Sequence, residues 1–185
     1  MFSLDRKTVK LVNVNPRAEK HGDENALACD LKFEIRASND VLSEFHHSLK
    51  SALYKEPDQG NLIDEPGTLS QLKFPDMGPI SYGTELAGHE LTIHYGISSK
   101  SDLSIDDCRV NHFRLHPQEG GTVIVTFRVQ GNPSEHVIGK LCSMIQQDID
   151  ISLTAPGESQ LDLEAAALKG NGRKKTKLEA VPGVH

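Results

Sequence analysis

Residues Gly120–Pro133 read GGTVIVTFRVQGNP. Val123, Val125, Phe127 and Val129 alternate with Thr122, Ile124, Thr126, Arg128 and Gln130, which is the two-residue period of a strand with one row in a core and the other in water. Gly120 and Gly121 supply a turn before it. Asn132 as cap, Pro133 at the first helical position and Glu135 three residues past the cap predict a helix running to about Gln147. Its apolar face would be Val137, Ile138, Leu141, Cys142 and Ile145. The outer row of the strand is either a binding surface or the wet side of a sheet, and the rest of the chain bears on which.

The same period recurs on both sides. Between Ala26 and Arg36, Leu27, Cys29, Leu31, Phe33 and Ile35 alternate with Ala28, Asp30, Lys32 and Glu34. Thr8–Val14 is the expected antiparallel partner, joined through NPRAEKHGDEN, whose Pro, Gly and Asn suit a long, charged, exposed hairpin loop. ASNDVLSEFHHSLKSALY then predicts one amphipathic helix, capped by Ser38 or Asn39, with Val41, Leu42, Phe45, Leu49 and Leu53 in its stripe. From Lys55 to Gly88 the chain is punctuated by Pro57, Gly60, Pro66, Gly67, Pro75, Gly78 and Pro79, so an irregular excursion with a short strand near Ile80 is expected.

Alternation returns in HELTIHYGI, with Leu91, Ile93, Tyr95 and Ile97 on the core side, and in DIDISLT through Ile149, Ile151 and Leu153. In CRVNHFRLH the apolar residues change phase between Val110 and Phe113, which predicts a bulge near Asn111. The expectation is an α+β protein: a mostly antiparallel β-sheet, open or curled toward a barrel, with two covering helices. One domain would span residues 1–154. Residues 155–185 form a tail, with room for a short helix from Gln160 to Lys169 ahead of the basic run GRKKTK.

With 185 residues, 37% of them hydrophobic, and a mean hydropathy of -0.40, the chain is long and apolar enough for one real core. No run reaches the roughly 18 apolar residues of a membrane span, and MFSLDRKTVK lacks the apolar centre of a signal peptide, so a cytoplasmic protein with no membrane partner is expected. Cys29, Cys108 and Cys142 are odd in number and sit in apolar patterns, which suits buried reduced thiols. A net charge of -6 argues against a chain that coats nucleic acid everywhere, but it permits a local basic face or arm.

The search for chemistry yields no catalytic residue, metal ligand set or cofactor motif, and the expectation is a protein that is not an enzyme. His112 and His116 share a strand face but lie roughly 13 Å apart, too far to ligate one zinc. HGDE at His21–Glu24 places an imidazole beside two carboxylates, although a polar hairpin turn explains it as well. Gly120-Gly121 enters a strand where a phosphate-cradling loop would enter a helix, and there is no G-x-S-x-G elbow.

Basic residues carry more. Lys32, Arg36 and Arg128, with Arg114, fall on expected outward strand positions, and Arg173, Lys174, Lys175 and Lys177 concentrate charge in the tail. Against this stand 5% aromatic content, no tryptophan, and the placement of Phe33, Tyr95 and Phe127 on core faces, which removes the usual stacking platform of a single-strand binder. An ordinary solvated sheet face and a solubilising terminus would account for the same residues.

HGDENALACDLKFEIRASNDVLSEFHHSLKSALY together with GGTVIVTFRVQGNPSEHVIGKLCSMIQQDIDISL resembles small proteins from the early regions of tailed phages and prophages, over about Val9 to Leu153. The resemblance implies a role in phage DNA replication or recombination, as a single-stranded-DNA-binding-like accessory protein in the host-cell cytoplasm. The alternative it implies is an inhibitor or adaptor that binds a host or phage protein without catalysis. Assembly into a homo-oligomer is compatible with either.

Overall fold

The computed structural model describes residues 2–21, 24–58, 67–96 and 101–157. Six strands close on themselves: β1 (Leu4–His21), β2 (Glu24–Ser38), β8 (Thr122–Gly131), β7 (Leu103–Pro117), β6 (Leu86–His94) and β9 (Asp148–Thr154), with β9 returning to β1. All neighbours are antiparallel. The sheet curls into a barrel, and closure leaves the ring without an open edge. A short strand, β5 (Ile80–Tyr82), pairs with the second half of β7 at Leu115, Arg114 and Phe113. β3 (Tyr54–Lys55) and β4 (Gln71–Leu72) form a separate two-stranded piece.

The alternating rows meet inside. Phe33, Phe113 and Phe127 are buried, and Phe2 packs at 5.2 Å and 5.3 Å, edge to face, on Phe113 and Phe127. Phe33 lies 5.6 Å from Phe127. Each such ring pair contributes about 0.5–1.5 kcal/mol beyond its area burial. Gly131 is required where β8 crosses β7, because a Cβ there would stand 2.8 Å from Ile105 Cγ2 and 3.1 Å from Cys108 Sγ.

The bulge expected near Asn111 is present: Asn111 stands opposite Arg128 and Arg114 opposite Thr126, so β7 carries one extra residue between them. His112 absorbs it at φ 54 and points outward, while Phe113 returns to the core.

Five local expectations are corrected. The long loop after Asn15 is a continuation of the ladder, which runs from Asn15 opposite Asp30 to His21 opposite Glu24. Because β8 stops at Gly131 opposite Cys29, residues 16–21 and 24–28 stand as a two-stranded arm, where β1 is an edge strand that tolerates Pro16. The first amphipathic helix is broken into a 3-10 turn (Asn39–Val41), α1 (Leu42–Phe45) and α2 (Leu49–Leu53). His46 is extended between them, and its Nδ1 accepts the Ser48 amide at 3.2 Å, a local bond that competes with the helix.

The cap of α3 (Glu135–Ser143) is Ser134, whose hydroxyl accepts the Val137 amide, while Asn132 donates to the Leu27 carbonyl instead. The helix stops short of Gln147 because Gln146 N–H donates to Leu11 O at 2.7 Å and the Leu11 amide donates to Gln147 O at 3.0 Å. Tyr95 is 40% exposed and outside the core, with the Lys140 ammonium 4.7 Å from its ring centre.

The excursion is pinned at its base. Tyr54 is buried, its hydroxyl accepts the Gln118 amide at 3.1 Å, and it lies 2.9 Å from the Gln118 and Thr122 carbonyls. Asn39 donates to Leu69 O at 2.6 Å, and the Gly120 amide donates to Ser70 O at 3.0 Å.

Candidate anion-binding face

Register alone lays out the outer face of β1, β2, β8 and β7 as transverse rows. Asn15, Asp30, Gln130 and Arg109 form the first; Asn13, Lys32, Arg128 and Asn111 the second. Lys10, Glu34, Thr126 and Arg114 form the third, and Arg36, Ile124 and His116 the fourth. Successive rows are two residues apart, about 6.7 Å, and neighbouring strands about 4.8 Å apart. Lys10, Lys32, Arg36, Arg109, Arg114 and Arg128 thus share one patch with four carboxylates: Asp30 and Glu34 in these rows, and Asp148 and Glu85 at its edges.

The structure brings three of the four expected strand cations into one depression. Lys32, Arg114 and Arg128 line a hollow of about 350 Å³ together with Asn13, Asn15 and Thr126. Arg36 lines the adjoining hollow of about 430 Å³ with Thr8, Lys10 and Gln146 and with two carboxylates, Glu34 and Asp148. Arg173, Lys174, Lys175 and Lys177 lie outside the described residues, as do Gly22 and Asp23 of HGDE.

Not all of these charges are available. Arg128 Nη1 lies 3.5 Å from Asp30 Oδ2, its Nε donates to Asn111 Oδ1 at 2.9 Å, and its Nη2 donates to His112 Nε2 at 3.0 Å. Arg17 also donates to Asp30 and to Glu19. Burial pushes the Asp30 carboxyl up, but hydrogen bonds from Gln130 and Arg17 and the charges of Arg17 and Arg128 outweigh it, so it is held below the usual carboxylate range. Arg109 faces Glu85 at 3.2 Å.

Lys32, Arg36 and Arg114 are exposed, and none has a carboxylate within 4 Å among the described residues. Arg128 is therefore a braced anchor at the centre, and Lys32, Arg36 and Arg114 are the groups free to meet an anion. Among the described residues no Phe or Tyr ring lies on this face: Phe33 and Phe127 are buried beneath it.

The two buried thiols offer no nucleophile here. Burial pushes Cys29 up to about 11 and Cys108 up to about 12, whereas Cys142, expected in the core, is exposed on α3. Among the described residues no three His, Cys, Asp or Glu side chains converge on a metal position. No helix among them is long and apolar enough to cross a membrane.

Sequence reasoning missed His112, Lys10 and Arg109 on this face. The phase change at Asn111 was the signal for His112, since a bulge re-aims the residue it inserts. It missed entirely a second polar cluster, His94, Asp102 and Ser152, on the β6–β9 side. No protein-family model matches the chain, and no curated protein and no solved structure matches it.

Proposed function

We propose that this barrel binds the phosphate backbone of nucleic acid, most concretely single-stranded DNA, through Lys32, Arg36 and Arg114. The observation that carries the reading is the shared surface: Lys32 and Arg114 line one hollow with an arginine held in place by Asp30, Asn111 and His112, Arg36 lines the next, and none of the three has a carboxylate within 4 Å among the described residues. Two hollows on that surface provide room for phosphate oxygens. With no Phe or Tyr ring among the described residues of this face to stack on, the interaction would be mainly electrostatic and indifferent to sequence. Such binding suits an accessory role in DNA replication or recombination, the context implied by the resemblance to phage early-region proteins.

Fluorescence anisotropy of the full chain with labelled single-stranded and duplex DNA over a salt series tests it. Binding should weaken steeply with salt, and each of Lys32→Ala, Arg36→Ala and Arg114→Ala should reduce the log–log slope on single strands by about 0.7. Replacing Arg173, Lys174, Lys175 and Lys177 together with Ala separates the tail's share from that of the barrel. Absence of binding at micromolar protein and low salt, or a slope unmoved by all three strand substitutions, would overturn the proposal.

A second reading has its own observation. Phe74 and Met77, 52% and 40% exposed, sit on a turn closed by the Met77 amide on Phe74 O at 3.0 Å. The turn is anchored by the Lys73 amide on Leu53 O at 2.9 Å. A preformed apolar tip of this kind suits an inhibitor or adaptor that engages a protein. That reading takes precedence if neither DNA binds.

A further inference from the structure

On the side of the barrel formed by β6 and β9, His94 joins two groups that are distant in sequence. Its Nδ1 lies 3.0 Å from Asp102 Oδ2 and its Nε2 lies 2.8 Å from Ser152 Oγ. The placement follows from register. Thr92 pairs with Ser152 and His94 with Asp150, so His94 and Ser152 are diagonal neighbours on the outer face. Leu103 pairs with Ile93, which brings Asp102 alongside His94.

Both ends of this chain are fixed by backbone amides. Asp102 Oδ1 accepts the Tyr95 amide at 3.2 Å, and Ser152 Oγ accepts the Arg6 amide at 3.1 Å. The Arg6 amide reaches Ser152 because β1 bulges against β9 between Leu4 and Lys7, with Arg6 itself at φ 40. With a neutral imidazole the donors then have a single arrangement: Arg6 N–H to Oγ, Ser152 O–H to Nε2, and Nδ1–H to the Asp102 carboxylate. His94 and Asp102 are mostly covered, at 19% and 17% side-chain exposure, so the ring is held in this orientation. Ser152 is partly open to solvent.

We infer that Ser152 is a nucleophile toward small activated esters, with His94 as its general base and Asp102 as the residue that positions the imidazole. The Ser152 oxygen attacks the ester carbonyl carbon while its proton passes to His94 Nε2, and Asp102 holds the resulting imidazolium. Collapse breaks the bond to the leaving alcohol oxygen, which takes the proton from His94. Water then gives a proton to His94 as its oxygen attacks the acyl carbon, the bond to Ser152 breaks, and His94 returns the proton to the serine. One ester and one water become one acid and one alcohol.

The substrate class follows from what the site provides. The Arg6 amide is engaged by the Ser152 hydroxyl and is not free to receive an oxyanion. The carbonyl charge therefore gains nothing from that amide, so aryl esters with good leaving groups should acylate Ser152, and deacylation should be the slow step.

The full chain is incubated with p-nitrophenyl acetate and, separately, with a fluorophosphonate probe, and the modified residue is mapped by peptide mass. Expected is near-stoichiometric modification of Ser152, none in Ser152→Ala, and about a hundredfold slower modification in His94→Gln. The wild-type acylation rate should rise with pH through one ionisation that is absent from His94→Gln. Asp102→Asn should slow acylation and alter that pH profile while circular dichroism and melting remain as in the wild type, a result that a purely structural hydrogen bond would not produce. Failure of wild-type protein to label at Ser152 overturns the inference, as does labelling at equal rates in both His94→Gln and Asp102→Asn. Should His94→Gln fail to fold, the wild-type label and the Asp102→Asn profile decide the matter.

Discussion

Two outer faces of one barrel use the same strand geometry for opposite electrostatic ends. On the β2–β8–β7 face, Asp30 draws in Arg17 and Arg128, and the remaining cations, Lys32, Arg36 and Arg114, are exposed without carboxylate partners within 4 Å among the described residues. On the β6–β9 face, polar groups saturate one another in a directed chain from Asp102 through His94 to Ser152. The first arrangement leaves charge for a partner and suits binding. The second orders a proton donor and acceptor and suits reactivity. Exposure on an outer row therefore does not define a role; the difference lies in whether a side chain's neighbours consume its hydrogen-bonding capacity.

The largest expected effect removes the common support of both faces. Phe127→Ala deletes a buried ring that contacts Phe2, Phe33 and Phe113, and should cost about 3–5 kcal/mol in denaturant unfolding, with DNA binding and Ser152 labelling both failing at lower denaturant concentrations. If only one face failed, the two would not share one cooperative core.

Asp30→Asn acts on one face. At neutral pH it should lower stability by about 1.5–3 kcal/mol, the range for hydrogen bonds to a charged group, and leave Ser152 labelling unchanged. The native carboxyl is held below its unfolded value, so its contribution is present above about pH 4 and is lost as pH falls through the depressed native value. Wild type and variant should therefore converge in acid, as followed by thermal unfolding from pH 7 downward. Constant separation across that range would remove Asp30 as the brace of Arg128.

The smallest effect serves as the control. Ser134→Ala removes the cap of α3 and should cost about 1 kcal/mol while altering neither DNA binding nor serine reactivity. A change in either function would couple α3 to the faces.

Much of the barrel was legible because strand alternation is a local property. Val123, Val125, Phe127 and Val129 are all buried, and the phase change at Asn111 correctly marked a bulge. Lys32, Arg36 and Arg128 face outward as the same alternation predicts, whereas the position of Arg114 hung on the phase change at Asn111. Helix limits were less legible: the ends of α3 and the break at His46 depend on bonds from Gln146 and Gln147 to Leu11 and from Ser48 to His46. The arm beyond Asn15 was read as a loop because Pro16 and its charged neighbours resemble turn chemistry, yet pairing with β2 continues past them.

The amino-acid sequence by itself determined for most strand positions which side chains lie inside and which outside, Tyr95 and Ala28 excepted, since the two-residue period and the cost of burying charge act on each strand separately. Only the tertiary structure decided which outer residues become neighbours. Strand order and register placed Lys32 opposite Arg128 and set Ser152 beside His94, residues whose spacing along the chain carries no sign of contact. The physical reason is that pairing in a closed antiparallel barrel is a global solution: each strand must satisfy two partners at once, and that condition is not written in any one segment.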